Sequence, residues 1–239
     1  MKRILSVFLC LFVFSFLHAQ NSFEGTLNVL YTNDKSETVL CEIKIKGDDV
    51  YLKQLQNGNK KYDRFVINLK SRELFTVSAH DKKITIKYQL DSLLNFYDRN
   101  NLKEGFSLNP GFNFKISDKV KTDEGISMDK YTGENETQKA VAWLGESTAP
   151  VNSLIPFLKL LGNWNEADGS FKNQIFETEV SNKSNKKSSR VKVSITKEPI
   201  AKEMFLLPKT YLLKDFSKLM EQGGGNIDLK IIIQAFAQF

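Results

Sequence analysis

The stretch TVLCEIKIKGDDVYLKQ, residues 38–54, decides the fold class because its apolar and polar residues alternate with a period of two. Gly47-Asp48-Asp49 interrupts the alternation with residue types that favour a turn. Strict alternation is the pattern of a strand that buries one face. The stretch therefore predicts two strands joined by a tight turn, and the first strand directs one apolar row towards a core: Val39, Cys41, Ile43 and Ile45.

The alternation continues on both sides of this hairpin. Upstream, FEGTLNVLY (23–31) places apolar residues on every second position. Downstream, Asn57-Gly58 is a strong hairpin signal. Three more alternating segments follow it: DRFVINL (63–69), RELFTVSA (72–79) and ITIKYQL (84–90). Six strands in hairpin succession predict a β-meander.

The middle of the chain mixes strands with short helices. Five further segments predict strands: 112–120, 126–133, 138–145, 173–181 and 189–197. DSLLNFYD (91–98) predicts one or two helical turns. SLIPFLKLLG (153–162) has apolar residues at the spacing of one helix face and is apolar nearly all round. Such a helix is either buried or fills an apolar space.

Three segments close the chain. AKEMFLLPKTY (201–211) predicts a short strand that ends at Pro208. LLKDFSKLMEQ (212–222) predicts an amphipathic helix. Residues 226–239 alternate again and are interpreted as a closing strand, although a helix also fits them.

These elements predict a mainly β protein. We expect one large antiparallel sheet of about 11–13 strands, curved into an incomplete barrel, because so many strands cannot remain flat. Two or three short helices would lie in or over its concave face. No linker divides residues 20–239, which are therefore expected to form a single half-barrel-like β domain.

The N-terminus has the pattern of a secretory signal peptide. Lys2 and Arg3 precede an apolar run that is too short for a membrane span, and Ala19 follows it as a small residue at a cleavage position. Residues 1–19 are thus predicted to be removed, which places the protein in the periplasm or outside the cell. Only Cys41 would then remain, so an internal disulfide is excluded.

Residues suited to catalysis are scarce. After cleavage the chain keeps one histidine, His80, in a predicted turn, and one cysteine, Cys41, on an apolar strand face. One histidine and one cysteine do not make a usual zinc site, and the acidic turns at 47–49 and 168–170 lack the spacing of a calcium loop. We therefore expect no enzymatic activity, no metal and no cofactor.

The basic residues argue against nucleic acid as a partner. The formal net charge of +6 is spread along the chain, and no aromatic residues interleave its densest basic run, 182–190. This run is predicted to be a solvated hairpin tip. The alternative is a peripheral contact between the tip and an anionic lipid head group or lipopolysaccharide of the envelope.

Several segments together resemble a known group of proteins. They are FEGTL, KIKGDDVYLK, FVINLKSRELFTVSAHDKKITIKY, VKTDEGISMDKYTGENETQKAVAWLGE and MFLLPKTYLL. The resemblance covers roughly residues 23–215 and is to uncharacterised periplasmic families of Bacteroidota-type envelopes, which are in turn similar to the LolA-like and LolB-like lipoprotein carriers. It implies a half-barrel of about eleven strands with helices in its concavity, and it suggests a lipid or a lipoprotein as partner.

The surplus of phenylalanine, 18 residues in the whole chain, bears on function. One hypothesis is a non-enzymatic binding protein whose concave apolar face accepts a lipid tail or an acylated protein. The alternative is an envelope interaction or structural module with a filled core. Alternation predicts which residues line the concave face: Leu27, Ile43, Phe65, Phe112, Trp143, Phe157 and Trp164.

Overall fold

The computed structural model describes residues 23–33, 36–55, 62–78, 83–99, 111–160, 171 and 173–217. Twelve strands form one sheet in this part of the chain. The first six are β1 (Glu24–Asn33), β2 (Glu37–Lys46), β3 (Asp49–Gln54), β4 (Tyr62–Asn68), β5 (Glu73–Ser78) and β6 (Ile84–Gln89). The other six are β7 (Lys115–Asp123), β8 (Ile126–Glu134), β9 (Gln138–Gly145), β10 (Gln174–Asn182), β11 (Ser188–Thr196) and β12 (Leu212–Asp215).

The sheet is built from two meanders that share one long-range pairing. Its order is β12-β6-β5-β4-β3-β2-β1-β11-β10-β9-β8-β7, so β1 joins the first meander to the second through β11. All neighbouring strands are antiparallel except β12, which pairs parallel to β6. The result is one large, open, curved sheet that does not close into a barrel, with β12 and β7 at its edges. This confirms the predicted fold class.

Two α-helices accompany the sheet in the described residues: α1 (Leu90–Arg99) and α2 (Val151–Leu160). Helix α1 is longer than the one or two turns predicted, and α2 begins two residues before the predicted start. Both helices contribute buried side chains, such as Leu93 and Phe157, to the cluster formed by the sheet. Neither helix is long and apolar enough to cross a membrane.

Three segments differ from the sequence-based expectation. A 3-10 helix at Lys202–Phe205 replaces the strand expected within 201–211, and β12 replaces the start of the helix expected at 212–222. Strand β7 begins at Lys115 and not at 112, and Asn113 and Phe114 lie instead against Gly133 of β8. The C-terminal segment 226–239 lies outside the described residues.

Tight hairpins set the register of the second meander. Glu124 and Gly125 connect β7 to β8 with φ angles of 50° and 76°. Two successive positive φ angles define a type I′ turn, whose twist matches that of the flanking strands. Since β7 and β8 are joined by only these two residues, Asp123 lies directly opposite Ile126.

Candidate functional site

A row of apolar side chains crosses the concave face of the sheet. Leu27 on β1 lies opposite Ile195 on β11 and Ile43 on β2. Ile43 lies opposite Leu52 on β3, which in turn lies opposite Phe65 on β4. Directly opposed residues share one face of an antiparallel sheet. The structure therefore brings three of the predicted lining residues, Leu27, Ile43 and Phe65, into a single row.

This row is closely packed. Leu27, Ile43 and Phe65 are 0%, 0% and 3% exposed, and Phe157 of α2 is 1% exposed. All four belong to the same buried cluster. A side chain that lined a water-sized cavity would keep accessible surface there, so no such cavity adjoins these four side chains.

Helix α2 is fastened to the sheet by one asparagine. The Asn152 side chain donates a hydrogen bond to the carbonyl of Asn173 (2.7 Å) and accepts one from the backbone N–H of Ile175 (2.8 Å). The backbone N–H of Asn152 donates to Oε1 of Gln174 (2.9 Å). These three bonds tie the N-terminal end of α2 to the start of β10.

Two threonine hydroxyls lie among the buried apolar side chains of the concave face. Thr76 on β5 is opposite Phe65, and Thr178 on β10 is opposite Ala142 on β9, so both face the concave side. They are 2% and 0% exposed, and neither Oγ1 atom has a hydrogen-bond partner in the part of the chain that the structure describes. A buried hydroxyl without a partner costs about 1–3 kcal/mol. The two hydroxyls are therefore positions where a polar atom of a ligand would gain a hydrogen bond.

Phe112 belongs to a second, smaller cluster with Ala140 of β9. Its ring lies 5.8 Å from that of Phe114, which lies 5.2 Å from that of Phe171. The ring of Phe171 is also 5.2 Å from Tyr131 of β8. These aromatic rings cover the concave side of β8, some distance along the sheet from the Leu27 row.

Trp143 lies on the face of β9 opposite to that of Ala142 and Leu144. Its neighbours in β9, Ala142 and Leu144, are buried in the core, so alternation directs Trp143 to the convex side. There the ammonium groups of Lys121 and Lys130 lie 4.5 and 5.7 Å from the centre of its ring. The ring also packs, partly buried, against the main cluster, so its place in a ligand site stays a prediction, and the cation–π contacts give it a structural role.

Two of the candidate residues, Trp164 and His80, lie outside the described part of the chain.

Cys41 lies on the concave side of β2, opposite Val29. Burial raises the pKa of its thiol to about 12, so the reactive thiolate is absent at neutral pH. Among the described residues, no three His, Cys, Asp or Glu side chains converge in a way that could hold a metal ion.

The basic run at 182–190 comprises the last residue of β10, the turn 183–187 and the first residues of β11. Lys183 is engaged within the protein, since its ammonium group lies 3.1 Å from Oε2 of Glu134 and 2.7 Å from the carbonyl of Asn135. Lys186 and Lys187 are exposed at the end of the turn.

The residues that sequence reasoning missed are Thr76, Thr178 and Asn152. A signal for Thr76 was present, because it shares the alternation of Leu74 within β5 and must face the same side. Asn152 carried no such signal, since its partners lie more than twenty positions away along the chain.

No protein-family model matches the chain, and no curated protein matches it. Solved structures show distant likenesses. A crystal structure of PNGF-II has 13% identity and a TM-score of 0.41, covering 83% of this chain and 32% of that one. The complex of MucB with MucA(peri) has 10% identity and a TM-score of 0.36, with coverages of 81% and 56%.

A LolA superfamily protein from Nitrosomonas europaea has 9% identity and a TM-score of 0.31, with coverages of 79% of this chain and 91% of that one. By comparison, the chain spans only about a third of the length of the PNGF-II structure. At these TM-scores the likenesses do not place the chain in a family.

Proposed function

We propose that this is an exported, non-enzymatic binding protein that takes a hydrophobic chain, from a lipid or an acylated protein, against the concave face of its sheet. One observation carries the proposal: an apolar surface that extends across many strands is covered in the described residues by two short helices and not by a second sheet. Helices can separate from a sheet without breaking its strand ladders. The signal-peptide pattern at residues 1–19 supports a periplasmic location.

Entry of a ligand requires helix α2 to move. The concave row and Phe157 belong to one fully buried cluster, so an acyl chain would need α2 to swing outward before it could occupy this space. Asn152 holds one end of the helix to β10 and would act as the pivot. The unpaired hydroxyl of Thr178, on the strand to which α2 is anchored, would then receive the polar head of the chain.

A second candidate is an envelope interaction or structural module with a permanently filled core. The packing itself favours it, because Leu27 and Ile43 have no exposed surface at all. Such a module would bind partners through its exterior, for example through the turn at 182–190. The two candidates differ in whether α2 ever leaves the sheet.

Loosening the pivot distinguishes these candidates. We would titrate the exported protein with a fluorescent fatty acid, confirm that unlabelled fatty acid displaces it, and repeat the titration with Asn152→Ala. Removal of the two side-chain bonds favours the open state, although the backbone N–H of residue 152 still donates to Gln174, so the variant should bind several-fold more tightly or more rapidly than the parent. Ser153→Ala, an exposed neighbour in the same helix, is the matched control and should bind like the parent.

Saturable, displaceable binding by the parent supports the binding protein. If neither the parent nor Asn152→Ala binds the probe while both unfold cooperatively, the core is permanently filled and the second candidate stands. Cooperative thermal unfolding of each variant ensures that a probe signal does not come from a partly unfolded state.

A further inference from the structure

Four exposed leucines stand out on the surface of the described residues. Leu55, Leu206, Leu212 and Leu213 are 50%, 59%, 61% and 53% exposed. Large apolar side chains with this much exposure are ordinary when they are scattered singly, but a group of them marks an interaction site. Their positions in the topology decide which of the two applies.

All four leucines lie at one end of the sheet. Leu55 directly follows β3, and Leu212 begins β12 beside the start of β6, where its N–H donates to the carbonyl of Lys83 (2.9 Å). Between them, the carbonyl of Leu206 accepts a hydrogen bond from Arg64 at the start of β4 (3.2 Å). Since β3 to β6 run antiparallel, the end of β3 and the starts of β4 and β6 form the same rim.

The leucine rim, defined as Leu55, Leu206, Leu212 and Leu213, surrounds the end of the sheet on both faces. Leu212 is in register with Ile84, whose alternation with Tyr88 directs it to the concave side. Leu213 is the next residue of the strand and therefore faces the convex side. A partner lying flat on one face would contact only some of these residues, whereas an apolar layer that receives the rim end-on would contact all of them.

The charges around the rim are mostly basic. Lys83, Lys209 and Lys214 are exposed beside the leucines, and Lys186 and Lys187 are exposed on the β10–β11 turn at the same end of the sheet. Two acidic groups at this end are neutralised within the protein. Asp63 pairs with Arg64 at 2.6 Å, and Glu134 pairs with Lys183 at 3.1 Å. The exposed carboxylates of Glu37 and Glu136 leave the rim with a surplus of positive charge.

We propose that the leucine rim docks the protein onto an anionic lipid bilayer, with the leucines inserted among the head groups and the lysines bound to lipid phosphates. Apolar insertion combined with basic side chains is the usual basis of peripheral membrane binding. This inference goes beyond the proposed function, because a protein that fails to hold an acyl chain could still dock in this way.

Vesicle sedimentation tests the rim. The exported protein, with its N-terminus verified by mass spectrometry, would be mixed with vesicles of phosphatidylglycerol and phosphatidylcholine, or of phosphatidylcholine alone. We expect binding to the anionic vesicles that weakens with added salt. The triple variant Leu206→Ser/Leu212→Ser/Leu213→Ser should lose more than about tenfold in affinity, because it removes the inserted apolar surface.

The chain offers a matched control in Ile116→Ser/Val120→Ser. These two residues on the other edge strand, β7, are 64% and 60% exposed and lie away from the rim. The control variant should bind like the parent, and the melting temperature should be unchanged in both variants. The proposal is overturned if the parent ignores anionic vesicles, or if the rim variant binds as the parent does. It is equally overturned if the control variant loses as much affinity as the rim variant.

Discussion

At the scale of single residues, the most informative group is the hydroxyl of Thr178. It is completely buried between the apolar side chains of Ala142 and Val191, and its oxygen has no partner in the described structure. A valine would fill nearly the same volume and would abolish the cost of the unpaired hydroxyl. A threonine at this position is consistent with a polar contact that its hydroxyl makes only in the bound state.

We predict opposite effects of Thr178→Val on folding and on binding. The free energy of unfolding of the ligand-free protein should stay the same or rise by up to about 1 kcal/mol. The affinity for the fluorescent fatty acid should fall several-fold. Thr132→Val, at an exposed position of β8, is the control and should alter neither quantity. If Thr178→Val instead lowers stability by more than about 1 kcal/mol with unchanged binding, its hydroxyl has a structural partner.

At the scale of elements, the turn of the β7–β8 hairpin bridges a region where β10 and β11 do not pair, and we call its contacts there, made by Asp123 and Glu124, the latch. These two strands pair only between Glu177 and Ser181 on β10 and their partners on β11. The hairpin end closes the gap, since Glu124 accepts a hydrogen bond from the backbone N–H of Ile195 (2.9 Å) and Lys192 lies 2.7 Å from Asp123. Polar side chains thus replace the strand pairing that is missing here.

The latch should make stability depend on pH in the acid range. The hydrogen bond from Lys192 holds the pKa of Asp123 below its ordinary value. The contribution of Asp123 to stability is therefore complete above its unfolded pKa of about 4, and it is lost as the pH falls through the lower value of the folded state. We predict that Asp123→Asn lowers the urea midpoint at pH 7 and flattens its decline towards pH 3.

Glu136→Gln provides the comparison for this measurement, because Glu136 is an exposed carboxylate in the β8–β9 turn. It should reproduce the pH profile of the parent. A parent profile that Asp123→Asn leaves unchanged would mean that the latch contributes nothing measurable, as is common for surface ion pairs.

The alternation of apolar and polar residues explains which strands could be predicted from the sequence. The period of two in segments such as 38–54 is imposed by one buried face, so β1 to β6 and their hairpin order follow from the sequence directly. Strand β12 could not be read in this way. Leu212 and Phe216 fit a helix face equally well, and only the distant backbone of β6 makes the segment extended.

At the scale of the whole molecule, the decisive feature is the pairing of β1 with β11, which joins two local meanders into one curved sheet. Residues about 165 positions apart meet there, and no short-range pattern specifies such a contact. The same limit applies to the candidate site. Alternation identified Leu27, Ile43 and Phe65 as one face, whereas the side chains that surround Trp143 depend on the register between β8, β9 and β10.

The central claim is that the concave face opens to hold a hydrophobic chain, and native mass spectrometry of the exported protein tests it most directly. The protein would be measured as isolated, and again after incubation with a long-chain fatty acid and removal of the excess. We predict a species heavier than the bare chain by one acyl-chain ligand in at least the second sample. Only the bare mass in both samples, from protein that is folded and cooperative in its unfolding, would contradict the account and favour a permanently filled core.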